Sequence, residues 1–64
     1  MKILAHAETR QVVGAHIIGP QASILIQPLI NAMRFGQTVD QLAHETWYIH
    51  PALTEAVEQA LLEL

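Results

Sequence analysis

The chain opens with two apolar, β-prone runs, Ile3 to Ala7 and Val12 to Ile18, separated by the polar stretch Glu8-Thr9-Arg10-Gln11. That order predicts an antiparallel hairpin turning over the four polar residues. Gly19-Pro20 ends the second strand. A hairpin does not hold by itself, so further strands or a covering helix are expected.

Beyond Pro20 the period changes. Gln21 to Phe35 reads as a helix, with Ile24, Leu25, Ile26, Leu29, Ile30 and Met33 around most of its circumference. Such a helix is expected to be buried on nearly all sides. Pro28 falls in its middle, removes one backbone hydrogen bond and predicts a kink, at a cost of about 3 kcal/mol unless the surroundings absorb it. Gly36 is placed to cap the C-terminus. Thr38-Val39-Asp40-Gln41 has the form of a capping box and predicts a short helix from Val39 to about His44. After a β-branched and aromatic link, Thr46 to Ile49, a last helix is predicted from Pro51 to about Glu63. Proline suits the first helical position because its missing N–H would have no partner there. Leu53, Val57, Ala60, Leu61 and Leu64 form the apolar stripe of this helix. The fold class expected is α+β, an antiparallel hairpin or small sheet packed with three helices.

Composition narrows the partners. The chain has 64 residues, a net charge of −3, no cysteine, and is 52% hydrophobic and 14% charged. One small domain is the limit, and a chain of this size buries only about 60% of its unfolded surface. The excess of apolar residues predicts a face meant for another domain or a second copy. With Lys2, Arg10 and Arg34 the only cations beyond the N-terminus, nucleic-acid binding is not expected. No apolar run is long enough for a membrane span and no secretory leader is recognisable, so a cytoplasmic location is expected. The lack of cysteine excludes disulfides and thiolate–metal sites.

Four histidines carry the candidate chemistry. His44-Glu45-Thr46-Trp47-Tyr48 begins like the zinc-protease motif H-E-x-x-H, but Tyr48 stands where the second ligand belongs, and the match is read as coincidence. His6 and His16 fall in the two predicted strands and could face each other across the hairpin. Packing and hydrogen bonding are the favoured roles for them over a surface metal site. His50 differs from these because Glu55 follows it by five residues, inside the last helix. A carboxylate there can reach back to one ring nitrogen, fix the tautomer, favour the protonated ring and leave the other nitrogen free. Read by spacing alone, a histidine capping a helix beside a solvated glutamate is the commoner arrangement. Trp47 and Tyr48 fit two roles equally well, lining a substrate cleft or meeting another protein surface.

The stretch Trp47-Tyr48-Ile49-His50-Pro51-Ala52-Leu53-Thr54-Glu55 also resembles the C-terminal signature of the pyridine nucleotide-disulfide oxidoreductases, a flavoprotein family that includes lipoamide dehydrogenase and mycothione reductase. The family pattern is His-Pro-Thr-x-x-Glu; Ala52 stands here in place of the threonine. A second block, Val13-Gly14-Ala15-His16-Ile17-Ile18-Gly19-Pro20, resembles the family's Gly-Ala-His-Ile-x-Gly segment, in the family's order and spacing. The resemblance covers essentially the whole chain and implies that residues 1–64 are the C-terminal part of the dimerisation, or interface, domain, a fragment of a longer parent. It implies for His50 the role of acid–base group in thiol–disulfide exchange and for Glu55 that of its orienting partner. In the family this pair serves a cysteine pair on the opposite subunit, so the implied partners are a second copy or the missing FAD- and NAD-binding domains. The implied parent passes electrons from NADPH or NADH through FAD and the cysteine pair to a small disulfide at the dimer interface. The likeness of Trp47 to Leu53 to the mycothione reductases of the family implies mycothiol disulfide as that substrate, with lipoamide or another disulfide as the alternative. Gly14, Gly19 and Gly36 are too far apart to form a dinucleotide-binding loop. The chain alone is therefore expected to bind neither cofactor and not to catalyse the reaction. The rival expectation is a stand-alone, non-catalytic module for homodimerisation or docking.

Overall fold

The computed structural model describes all residues from Met1 to Leu64. It is α+β, with the order β1 (Lys2–Ala5), β2 (Val12–His16), α1 (Ala22–Leu25), α2 (Gln27–Arg34), α3 (Val39–His44) and α4 (Thr54–Leu62). The two strands pair antiparallel, with Lys2 opposite His16, Ile3 opposite Ala15 and Leu4 opposite Gly14. A bulge then shifts the register, so that Ala5 faces Val12. Side chains alternate across a strand, so Ala15 and Val13 would otherwise share the inner face. The shift instead turns Val12 into the core, at 3% exposure, and leaves Val13 outside.

Both strands stop short of the predicted limits. His6 closes the turn, with its N–H donating to the Gln11 carbonyl and its carbonyl accepting the Arg10 N–H, each at 2.9 Å. Arg10 itself takes the left-handed conformation, φ 62°. The chain then adds one further bridge, Gln11 to Thr38. Val12 N–H donates to the Gln37 carbonyl at 3.0 Å and Val39 N–H to the Arg10 carbonyl at 2.8 Å. These bonds dock the start of α3 on the hairpin.

The long helix predicted over Gln21 to Phe35 is divided at Ile26 into α1 and α2. Pro28 explains the break: it has no N–H to return to the Ile24 carbonyl, and its ring would crowd that carbonyl. The Leu29 and Ile30 N–H groups both bond to the Ile26 carbonyl at 3.0 Å, which starts α2 afresh with the proline in its first turn. A first turn needs no N–H there, so the mid-helix penalty is avoided. Burial is also narrower than expected. Leu25, Leu29 and Ala32 are buried, but Ile24 and Ile30 face solvent, so one stripe rather than the full circumference meets the core. Gly36 follows at φ 67°, and Gln37 N–H returns to the Ala32 carbonyl at 2.9 Å, closing the helix end.

α3 has the predicted limits and the predicted capping box. Thr38 Oγ1 accepts the Gln41 N–H at 3.1 Å while Gln41 Oε1 accepts the Thr38 N–H at 2.9 Å. α4 begins at Thr54, not Pro51; residues 51–53 form bends and a turn, and the His50–Pro51 peptide is cis. Val57 and Leu61 bury α4 against the rest, while Leu53 and Leu64 of the predicted stripe stay exposed. The core is wholly apolar, running from Ile3 and Val12 through Leu29 to Val39, Leu42, Val57 and Leu61.

Candidate functional site

α3 and α4 are joined by residues 45–53, which form neither helix nor strand. Every residue of this link is exposed except Tyr48, which is half-buried. The Tyr48 hydroxyl donates to the Leu42 carbonyl at 2.9 Å. That carbonyl belongs to the last turn of α3, where backbone acceptors have no partner within the helix. Thr46 Oγ1 makes a longer bond, 3.4 Å, to the Gln41 carbonyl. Burial and the nearby Glu58 carboxylate on α4 hold the Tyr48 phenol above its ordinary range, so it stays neutral.

His50 and Glu55 come together at the far end of the link. The imidazole Nδ1 lies 2.9 Å from Glu55 Oε1 and 3.0 Å from Oε2. Oε1 also accepts the Ala52 N–H at 3.0 Å. A carboxylate can only accept, so Nδ1 carries the proton and Nε2 is left for other work. The hydrogen bond to Glu55, and then its charge, raise the His50 pKa above 6.5. The hydrogen bond to His50, and then the Ala52 N–H, lower that of Glu55 below 4.5. The two members are not equally held: the His50 side chain is 81% exposed and that of Glu55 33%. Glu55 is the fixed member, seated in the first turn of α4, and the ring is presented outward from it. No enclosed cavity surrounds the pair, so the free edge of the imidazole opens directly on the surface. An imidazole held in this way is made more basic and keeps Nε2 free, an arrangement able to exchange a proton.

The other histidines are placed differently. His6 does not face His16; Lys2 does. The strand ends before His6, whose Nδ1 accepts the N–H groups of Glu8 and Thr9 at 3.2 and 3.3 Å and so supports the turn. His44 ends α3. No three His, Asp or Glu side chains converge on a common point. Trp47 and Tyr48, alike in the sequence, part company: Trp47 is 97% exposed while Tyr48 turns inward. Two features were not legible beforehand, the Ala52 N–H as second anchor of Glu55 and the pairing of Arg10 with Asp40. Arg10 Nε and Nη2 donate to the two Asp40 oxygens at 2.7 and 3.1 Å, and Nη2 also to the Leu64 carbonyl at 3.3 Å.

With the geometry in place, known proteins can be set beside it. The family described as pyridine nucleotide-disulphide oxidoreductase, dimerisation domain, matches residues 1–61. Over 64 residues the chain is 52% identical to mycothione reductase of Mycobacterium tuberculosis. It is 41% identical over 59 residues to dihydrolipoyl dehydrogenase of Corynebacterium glutamicum, and 37% identical over 62 residues to the mitochondrial dihydrolipoyl dehydrogenase of Mus musculus. These alignments take in 100%, 92% and 97% of this chain but span only 14%, 12% and 12% of those relatives.

Proposed function

The chain belongs to the family of the pyridine nucleotide-disulphide oxidoreductase dimerisation domain, and on that premise we propose that it is the C-terminal part of such a domain and contributes the acid–base group of a disulfide reductase. His50 is that group and Glu55 orients it. The observation that carries this reading is the bond from His50 Nδ1 to both carboxylate oxygens, with the opposite edge of the ring open to the surface.

The chemistry asks for such a group. A cysteine thiolate attacks one sulfur of the substrate disulfide, the S–S bond breaks, and the other sulfur leaves as a thiolate. His50 Nε2–H gives that thiolate its proton, and the resulting imidazole stays bonded to Glu55 through Nδ1. Working in reverse, the same nitrogen takes a proton from a thiol and raises its nucleophilicity. Residues 1–64 hold no cysteine, so in this reading the reacting pair lies outside them, and the family resemblance puts it on a second copy. Trp47, Ile49 and Leu53 flank His50 with exposed apolar surface, which suits a second copy bringing its cysteine pair up to the ring. FAD and NADPH or NADH are the cofactors of the proposed parent. The three glycines of residues 1–64 are too scattered for a dinucleotide-binding loop, so this reading puts the cofactor-binding segments elsewhere in the parent. The identity to mycothione reductase favours mycothiol disulfide as substrate, and that to the dihydrolipoyl dehydrogenases keeps lipoamide as the alternative.

His50→Gln in the full-length protein tests the reading. Disulfide reduction is expected to fall by about 10²–10⁴-fold, while reduction of the flavin by nicotinamide continues at its normal rate. Equal loss of both half-reactions, or of neither, sinks the role. A second reading, a non-catalytic homodimerisation module, draws on the same exposed apolar residues. It predicts concentration-dependent sedimentation of this chain by itself, with no disulfide reduction for His50→Gln to abolish.

A further inference from the structure

We propose that Tyr48 is a positioning residue for His50, its hydroxyl pinning the link between α3 and α4 so that the imidazole meets Glu55 in one place. The consequence for catalysis rests on the acid–base reading of His50; the geometry does not. Nine residues, 45–53, run without secondary structure, and among them Tyr48 alone turns inward. Its hydroxyl bonds to Leu42 on α3, while Glu58 on α4 is close enough to influence its ionisation. The hydroxyl therefore ties the link to the end of α3, two residues ahead of His50. From the other side the link is held by Glu55, through His50 itself and through the Ala52 N–H. His50 is thus strung between two anchors. Without the first, only the longer 3.4 Å bond from Thr46 Oγ1 ties that side of the link to α3, and the ring, already 81% exposed, is held chiefly by Glu55.

Ordering backbone costs conformational entropy, so an exposed link of this length stays in one arrangement only where something fixes it. The Leu42 carbonyl is an unused acceptor and Tyr48 has only two side-chain torsions, which makes the pin stiff. Tyr48 is not itself the proton donor. Its hydroxyl proton is committed to Leu42, and burial and Glu58 both oppose its ionisation. A displaced acid–base group loses rate steeply, about 10²-fold for about 1 Å.

Tyr48→Phe removes one oxygen and keeps the ring. NMR titration of the His50 imidazole in this chain is expected to show its midpoint falling toward that of a Glu55→Gln chain, with the helices intact. In a full-length protein carrying this segment, kcat for disulfide reduction is expected to fall about tenfold at nearly constant KM, with flavin reduction unchanged. A folded Tyr48→Phe chain whose His50 titrates as before overturns the proposal. So does a Tyr48→Leu chain that alone shifts the midpoint, because ring packing would then be responsible. Loss of the fold in Tyr48→Phe also overturns it, since the hydroxyl would be holding the helices and not the histidine. The titration is read independently of activity, so failure of the acid–base reading in His50→Gln stays distinguishable from failure of the pin.

Discussion

Two ion pairs stand at opposite kinds of corner in this chain. Arg10 and Asp40 meet where the hairpin turn touches α3, and His50 and Glu55 meet where the irregular link enters α4. Their distances are nearly the same, 2.7 and 2.9 Å. What differs is what each pair leaves over. The guanidinium spends its donors on both Asp40 oxygens and on the Leu64 carbonyl, tying three parts of the chain together. Arginine keeps its proton at any working pH, so that corner can hold but cannot exchange. The imidazole spends only Nδ1 and keeps Nε2 outward, and its hydrogen bond to Glu55 raises its pKa; histidine, unlike arginine, can give up its proton. Geometry alike to a few tenths of an ångström thus yields a clamp in one place and, in the other, a ring with one nitrogen left free. Side-chain chemistry, and the exposure of the unused edge, decide which.

The comparison breaks most completely if α4 is loosened, because both corners lean on it. Leu61→Ala removes a side chain only 1% exposed, and a cost of about 2–5 kcal/mol is expected. For a domain this small that approaches the whole stability. Thermal melting should show the loss, and the His50 and Arg10 signals should collapse together. Thr38→Ala acts on one corner alone. It deletes the α3 cap, costing about 1 kcal/mol, and is expected to lower the melting temperature while the His50 titration stays in place.

Glu55→Gln sharpens the contrast further. The amide oxygen can still accept the Ala52 N–H, so the helix start is kept, but the charge is gone. The His50 midpoint is expected to move down toward 6.5, whereas Asp40→Asn should leave it unmoved. The pH dependence of stability gives the smallest effect. The His50 pKa is raised on folding, so its stabilisation is complete below 6.5 and is lost as pH rises through the raised value. The Glu55 pKa is lowered, so its share is complete above 4.5 and is lost as pH falls through the lowered value. The pair should therefore stabilise the chain most between those two limits, and added salt should flatten that maximum because both groups meet solvent. The Arg10–Asp40 pair should show only the acid limb, below 3.8.

Much of this was legible in advance where one local rule decides. The α3 limits follow from Thr38 and Gln41 satisfying each other's backbone groups, a matter of four consecutive residues. The end of α2 follows from Gly36, which takes a positive φ without strain. His50 and Glu55 were legible as a pair because five residues separate them and a motif carries both. The family match over residues 1–61 bears out the resemblance on which that motif was read. Pro28 was seen as a fault in one helix, yet the chain begins a new helix around it, because a first turn has no use for the missing N–H.

The sequence by itself determined the α+β order of elements, the capping signals, the family and the nearness of His50 to Glu55, because each rests on residues near one another in the chain. Only the tertiary structure decided which of two adjacent aromatics turns inward and which apolar side chains of α1 and α2 reach the core. It alone brought Arg10 to Asp40, thirty positions away, and gave Glu55 its second anchor on Ala52. Those outcomes depend on the bulge that turns Val12 inward, on the bridge from Gln11 to Thr38, and on an unused carbonyl at the end of α3. Each is a meeting of backbone groups whose partners are fixed only once the helices have packed.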